Sequence, residues 1–241
     1  MSGVAVAEVP VARTLGIAVL VALVCSAMVS AAVYWLRPLQ VAQQMVERNR
    51  ALVEVAGLLG PGATDDEVTA AFFALDARVW DRQTGEFTGL LDGRTYDHWA
   101  EDPTGSRPRY VPVYLVSGQA TRLVLPVHGS GMWSTIYGYV GLAADFNTVT
   151  AVAFHRHGET PGIGDRIQDV QWRDSWRGKR LFDADGTLRF AVSADTANAA
   201  IHRVDVISGA SVTAGKVGEF VGAWMGADGY GPLFERLMND D

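Results

Sequence analysis

The chain has 241 residues, with 27 acidic and 20 basic side chains and a formal net charge of −7; at about 150 residues per domain this allows one domain, or one and a half. An apolar share of 49% against 20% charged residues excludes wholesale disorder, and an acidic balance without a Lys/Arg cluster argues against a nucleic-acid partner. The single cysteine, Cys25, excludes an internal disulfide and a Cys-rich zinc or iron–sulfur site within the chain.

Residues 14–36 form an uncharged run of 23 residues, long enough to cross the roughly 30 Å hydrocarbon layer with some tilt. Tyr34 and Trp35 sit at its far end, where interfacial aromatics belong. The competing reading is a cleaved signal peptide, because Val29, Ser30 and Ala31 resemble a small-residue cleavage site. The run exceeds the roughly 7–15 apolar residues of such signals, so it reads as an uncleaved anchor. Arg37, Arg48 and Arg50 follow the span and only Arg13 precedes it. That bias leans toward a cytoplasmic C-terminal part, but long domains translocate regardless of so few charges.

Beyond the anchor, Leu39, Ala42, Val46, Leu52, Val53, Ala56 and Leu59 recur at helical spacing, and Gly60-Pro61 reads as the stop. Thr64 and Glu67 make a capping box for a second helix with Val68, Ala71, Phe72 and Leu75 inward. Residues 81–109, rich in Asp, Gly, Pro, Thr and Arg, read as loops around short strands. Strands are expected at 123–127, 135–142, 149–155, 189–194 and 204–207, with a turn at 145–147. Residues 212–225 place Val217, Phe220, Val221 and Trp224 on one helical face. Mixed strands and helices in this order give an α+β fold with a mainly antiparallel sheet behind a single N-terminal membrane helix.

Four places carry possible chemistry. Between a strand and a helix, Ser208, Ser211 and Thr213 crowd hydroxyls around Gly209 and Ala210. Free amides at a helix start favour a phosphate, and the same residues equally read as an N-cap with no ligand. The spacing is not that of a P-loop, since Val217 follows Lys216 where Ser or Thr would hold magnesium. After the 149–155 strand, Glu159, Thr160, Pro161, Gly162, Ile163 and Gly164 make a close-approach loop in which Glu159 and Thr160 face either a ligand or solvent. The third glycine of a dinucleotide fingerprint is missing. His155 and His157 share a strand face near Glu159, but three ligands so local rarely close a metal site, so none is assigned. Trp133, between Gly131 and Ser134, reads as a core residue or as a ring-stacking platform. No Gly-x-Ser-x-Gly elbow is present.

Taken in order, Leu36-Arg37-Pro38, residues 51–59 (ALVEVAGLL), 129–138 (GSGMWSTIYG), 158–164 (GETPGIG), 172–179 (WRDSWRGK) and 205–211 (DVISGAS) resemble the C subunits of sodium-translocating NADH:quinone reductases over nearly the whole chain. The last motif resembles the flavinylation signal of the FMN-binding domain shared with the G subunit of Rnf complexes. The resemblance implies a tail at 1–13, a transmembrane helix at 14–36, membrane-proximal helices and a loop-rich region at 37–120, and an FMN-binding domain at 121–241. It implies FMN joined through its phosphate to the hydroxyl after Gly-Ala, which is Ser211 here. The family residue is threonine; serine keeps the attacking hydroxyl and loses a methyl. Ser208, Gly209, Ala210 and Thr213 would surround the phosphate. Glu159, Thr160, Gly162 and Ile163 would lie against the isoalloxazine, with Trp133 and Lys179 as further contacts and Asp205 as a recognition element for a flavin transferase.

The implied function is electron relay in a respiratory oxidoreductase complex, from NADH-oxidising partner subunits to the FMN of the large membrane subunit. The FMN domain would stand on the periplasmic side of a bacterial inner membrane. This chain alone would hold no complete active site, no NADH or quinone pocket and no sodium site. An Rnf-type G subunit is the nearer alternative, and the matches near the anchor and at 172–179 speak against it. A membrane-anchored periplasmic flavin-binding or sensor module without electron relay is the farther one, and an anchored scaffold in which the serine loop only caps a helix is the third.

Overall fold

The computed structural model describes residues 11–60, 62–99 and 107–239, which form two compact units dividing between residues 45 and 46. One continuous helix, α1 (Val11–Ala56), runs through the division and through Pro38. Up to Met45 every described side chain of α1 is exposed. Among the described helices α1 alone has the length and apolar composition to cross a membrane. The anchor expected at 14–36 lies inside it; the first ten residues of the expected 1–13 tail lie outside the described residues. The helix ends earlier than Gly60. Gly57 takes a φ of +72°, and the Leu58 and Gly57 amides turn back to the Val53 and Glu54 carbonyls at 3.2 and 3.0 Å, a glycine-closed helix end.

The capping box forms as expected at α2 (Asp65–Ala74). The Thr64 hydroxyl accepts the Glu67 amide, and the Glu67 carboxylate accepts the Thr64 amide at 2.8 Å. A six-stranded sheet follows, built from β1 (Asp76–Asp81), β2 (Glu86–Thr88), β3 (Tyr110–Leu115), β4 (Leu123–Ser130), β5 (Thr135–Leu142) and β6 (Val149–Arg156). Its spatial order is β2-β1-β3-β4-β5-β6, and every pairing is antiparallel. The hydropathy pattern does not mark β1 and β3, and the expected 120/121 division falls between two neighbouring strands, β3 and β4. After β6 come a 3-10 turn (Gly164–Gln168), α3 (Val170–Asp174), β7 (Ala191–Val192), β8 (Arg203–Val204), α4 (Ser211–Met225) and α5 (Gly231–Asn239). The last strands are shorter than expected and pair in parallel; α5 had no counterpart in the sequence pattern.

Alternation along the strands gives the sheet two apolar faces. Val111, Val113, Leu123, Leu125, Val127, Ile136 and Val140 join Val217, Phe220, Val221 and Trp224 of α4 in one core. Tyr114, Val124, Tyr139 and Ala153 join Leu52, Val53, Val55 and Phe72 in the other. Two buried hydrogen bonds pin the helical layer to β4: the Trp224 indole donates to the His128 carbonyl at 2.7 Å, and the Tyr230 hydroxyl to the Pro126 carbonyl at 2.6 Å. Gly129 lets α4 come this close, since a Cβ there would lie 2.3 Å from the Phe220 Cβ. This docking holds the C-terminal half of α4 against β4.

On the other face His98 and His155 pack around Trp99 (ring centroids 3.9 and 6.0 Å away), and His155 stacks on Tyr139. Burial, with Arg156 and Arg48 adding to it, pushes the His155 imidazole down to about 3. Burial likewise holds His98 well below its ordinary value, helped by His128, Arg48 and His155. In the unfolded chain both titrate at about 6.5, so below that pH the unfolded state binds more protons and stability falls, continuing down to about 3 for His155. His155→Phe should therefore flatten the acid limb. Urea unfolding of the full-length chain in detergent at pH 7, 5 and 4 should show the variant gaining on the wild type as the pH drops; a constant difference would contradict this.

Candidate functional site

Three segments converge at one end of the sheet. The first is the tip of the β4–β5 hairpin. There Ser130 pairs with Thr135, the Gly131 amide bonds the Ser134 carbonyl at 2.7 Å, and Met132 and Trp133 stand out. The second follows β6: the Ile163 and Gly164 amides close back on the Thr160 carbonyl at 3.1 and 2.9 Å, with Gly162 at φ +76°. The third is the turn into α4, where the Ala210 amide bonds the Ile207 carbonyl at 2.9 Å and Gly209 takes φ +83°.

Glu159 ties these segments together. The residue is 4% exposed. Oε1 accepts the Trp133 and Ser134 amides at 3.0 and 3.2 Å, and Oε2 accepts the Met132 amide at 3.2 Å and the Thr213 hydroxyl at 2.8 Å. The Ser134 hydroxyl adds a bond from the Gly158 amide. Two glycines make room for the carboxylate: a Cβ at Gly131 would lie 2.6 Å from Oε1, and one at Gly164 would lie 2.9 Å from the Glu159 Cβ. Burial alone would raise the carboxyl, but the Trp133 amide, the Thr213 hydroxyl and the Ser134 and Met132 amides outweigh it and hold it below its ordinary value. The group is therefore ionised at neutral pH. The expectation that Glu159 faces a ligand meets a carboxylate turned inward, with its oxygens bonded to protein.

The hydroxyls of the serine loop divide. Ser208 and Ser211 are exposed, whereas Thr213 is 2% exposed and bonded to Glu159. Ala210, not a hydroxyl residue, is the N-cap of α4, and no side chain caps the helix. The N-cap reading of the serines does not hold, and Ser211 is the first helical residue, beside amides of a first turn that carries no acidic side chain. Arg166, which no sequence motif singled out, donates to the Ser208 carbonyl at 2.9 Å and to Asp169 at 3.3 Å. It brings a cation to this loop from a residue 42 positions away, a contact that no local pattern signals.

Around the knot the surface is apolar. Trp133 is 70% exposed, and Met132, Ile163 and Val212 are about half exposed; Thr160 and Gly162 are also at the surface. The core reading of Trp133 does not hold, since its indole lies at the surface. Lys179 lies elsewhere: its ammonium donates to the Ala200 carbonyl at 2.8 Å, and it lines a cleft of about 400 Å³ with Arg166, Trp172, Asp205 and Ser208. That cleft includes none of Trp133, Glu159 or Ile163. Asp205 is ion-paired with Arg203 at 3.2 Å, and its carbonyl accepts the Trp172 indole. His157 accepts the Glu159 backbone amide, and no group of three His, Cys, Asp or Glu among the described residues is placed to hold a metal.

The FMN-binding domain family matches residues 131–226, from the hairpin tip to the end of α4. The C subunit of the Na(+)-translocating NADH-quinone reductase from Pseudomonas aeruginosa is 38% identical over 95% of this chain and 97% of its own length. The one from Yersinia pestis is 36% identical over 94% of this chain and 93% of its own. This chain belongs to that C-subunit family. A crystal structure of Shewanella oneidensis NqrC superimposes with a TM-score of 0.71 at 29% identity, covering 82% of this chain and 99% of that one. The Glu159 knot, the 160–164 loop and the apolar wall all fall inside the FMN-binding match of this C-subunit sequence.

The glycine packing yields a prediction. Gly131→Ala should lower unfolding stability by about 1–3 kcal/mol, because the methyl lands on a carboxylate that four bonds hold in place. Ser208→Ala, at an exposed hydroxyl, should change it by less than about 0.5 kcal/mol. Urea titration measures both, and equal stability of the two variants would count against the tight knot.

Proposed function

We propose that this chain is the electron-carrying subunit of a Na+-translocating NADH:quinone reductase and works through FMN esterified to Ser211. One observation carries the reading: an exposed serine hydroxyl opens an uncapped helix inside the FMN-binding match, where an anion is favoured. The phosphoester would join the FMN phosphate to the Ser211 Oγ, with the elements of water leaving overall. Serine offers the same nucleophilic oxygen as the family's threonine. Thr213 is unsuited as an alternative because its hydroxyl is buried and already donated to Glu159.

FMN, when bound, supplies one- and two-electron transfer; the chain's residues hold and orient it. Amides at the start of α4 face the phosphate, with Ser208, Gly209 and Ala210 shaping the approach and Arg166 adding positive charge. Trp133, Thr160, Gly162 and Ile163 give the ring a wall, and Lys179 borders the neighbouring cleft at Ser208. A tether retains the carrier while the domain exchanges electrons with its partners: it receives them from the NADH-oxidising side and passes them to the FMN of the large membrane subunit. The apolar stretch of α1 anchors the chain in the bacterial inner membrane, with the sheet domain on the periplasmic side and a flavin transferase acting there during maturation. Coverage of about 95% by C-subunit relatives favours this assignment over an Rnf-type G subunit.

Co-expression of the full-length chain with a flavin transferase, then denaturation and intact-mass analysis, tests the reading. The wild type and Ser208→Ala should each gain one FMN less one water, and Ser211→Ala should gain nothing. An unmodified wild type, or an adduct that persists in Ser211→Ala, would contradict it.

A further inference from the structure

We infer that Glu159 is a positioning residue, not a flavin contact: its buried carboxylate locks the Met132 and Trp133 tip and the 160–163 loop to the first turn of α4. The inference rests on the flavin reading for its purpose, while the lock itself belongs to the protein without flavin. The argument is a count of lone pairs. An ionised carboxylate offers about four acceptor positions, and four donors fill them: the amides of Met132, Trp133 and Ser134 and the Thr213 hydroxyl. No acceptor remains for an N–H of the isoalloxazine. An ionised carboxylate has no proton to donate to a ring carbonyl, and Glu159 is held ionised at neutral pH. Gly131 and Gly164 leave room for it where a Cβ would not, and turning it toward the surface would break all four bonds.

What it controls is the relation between the wall and the attachment point. Trp133 follows Met132 on the tip, Ile163 lies four residues after Glu159, and Ser211 is two residues before Thr213. Three of the four bonds reach the tip and the fourth reaches α4, so one side chain sets the distance between the ring's wall and the phosphate's anchor.

Glu159→Gln separates the possibilities. An amide nitrogen at the Oε1 position would face the Trp133 and Ser134 N–H groups. At the Oε2 position it would face the Met132 N–H, since only the Thr213 hydroxyl can reverse and accept. In either orientation a backbone donor of the tip loses its protein partner. In the flavin-free full-length chain, amide exchange at residues 132–134 should therefore rise roughly tenfold or more. Loading at Ser211 by the transferase should slow several-fold. Thr213→Val cuts only the link to α4, so loading should slow while the tip amides stay protected; this variant carries the test if Glu159→Gln does not fold.

Unchanged exchange in flavin-free Glu159→Gln, with a shifted flavin absorption band or midpoint potential once loaded, would overturn the inference and make Glu159 a ring contact. Full-rate loading of Thr213→Val would overturn it as well. A wild type that takes up no flavin defeats the functional reading instead, and the exchange measurement still decides the lock.

Discussion

A carboxylate taken out of water is costly unless its lone pairs are filled, and an unfilled one is removed by protonation or by unfolding. Glu159 is kept by charge-assisted bonds from three consecutive amides and a hydroxyl. None of these donors is in place by local folding alone. The amides align only when β4 and β5 are paired through Ser130 and Thr135. The hydroxyl arrives only when α4 is docked by Trp224 and Tyr230. The burial of this charge thus depends on both layers of the domain, and the site depends in turn on the charge. The exposed tip at Trp133 and the uncapped start of α4 meet at one carboxylate: Oε1 binds the tip alone, and Oε2 binds both the tip and Thr213.

Much of the fold was legible in the sequence where local chemistry was strong. Thr64 and Glu67 cap α2 as their spacing requires, β5 keeps the expected bounds, and the apolar face of α4 is the one that Val217, Phe220, Val221 and Trp224 announce. β1 and β3 were hidden for identifiable reasons. Asp76, Arg78 and Asp81 break the apolar run of β1, and Pro112 sits inside β3 opposite Val79, where proline ordinarily argues against an interior strand. The end of α1 was misplaced because Gly57 closes the helix through a left-handed conformation, a signal weaker to the eye than Gly60-Pro61.

The candidate site divides in the same way. Spacing and resemblance pointed to the stretch from Ser208 to Thr213 and to the loop from Glu159 to Gly164. Spacing could not tell an exposed hydroxyl from a buried one; the resemblance chose Ser211, and packing adds that Thr213 is buried and bonded to Glu159. The partners of Glu159 were illegible, because three of its four donors are backbone amides that carry no residue signature. Arg166 was missed because its partner is a distant carbonyl, and Trp133 stayed open between core and surface because an indole is highly buried on average. Each correction moves a residue between the interior of the protein and its surface.

The central claim is that Glu159 faces inward and the flavin rests on the wall it positions. Solving the structure of the flavin-loaded full-length chain tests this most directly. The account predicts an adduct on the Ser211 Oγ, the ring against Trp133 and Ile163, and the Glu159 carboxylate still bonded to the amides of residues 132–134. A ring seated in the cleft beside Trp172 and Lys179, or a Glu159 carboxylate released from those amides to touch it, would contradict the account.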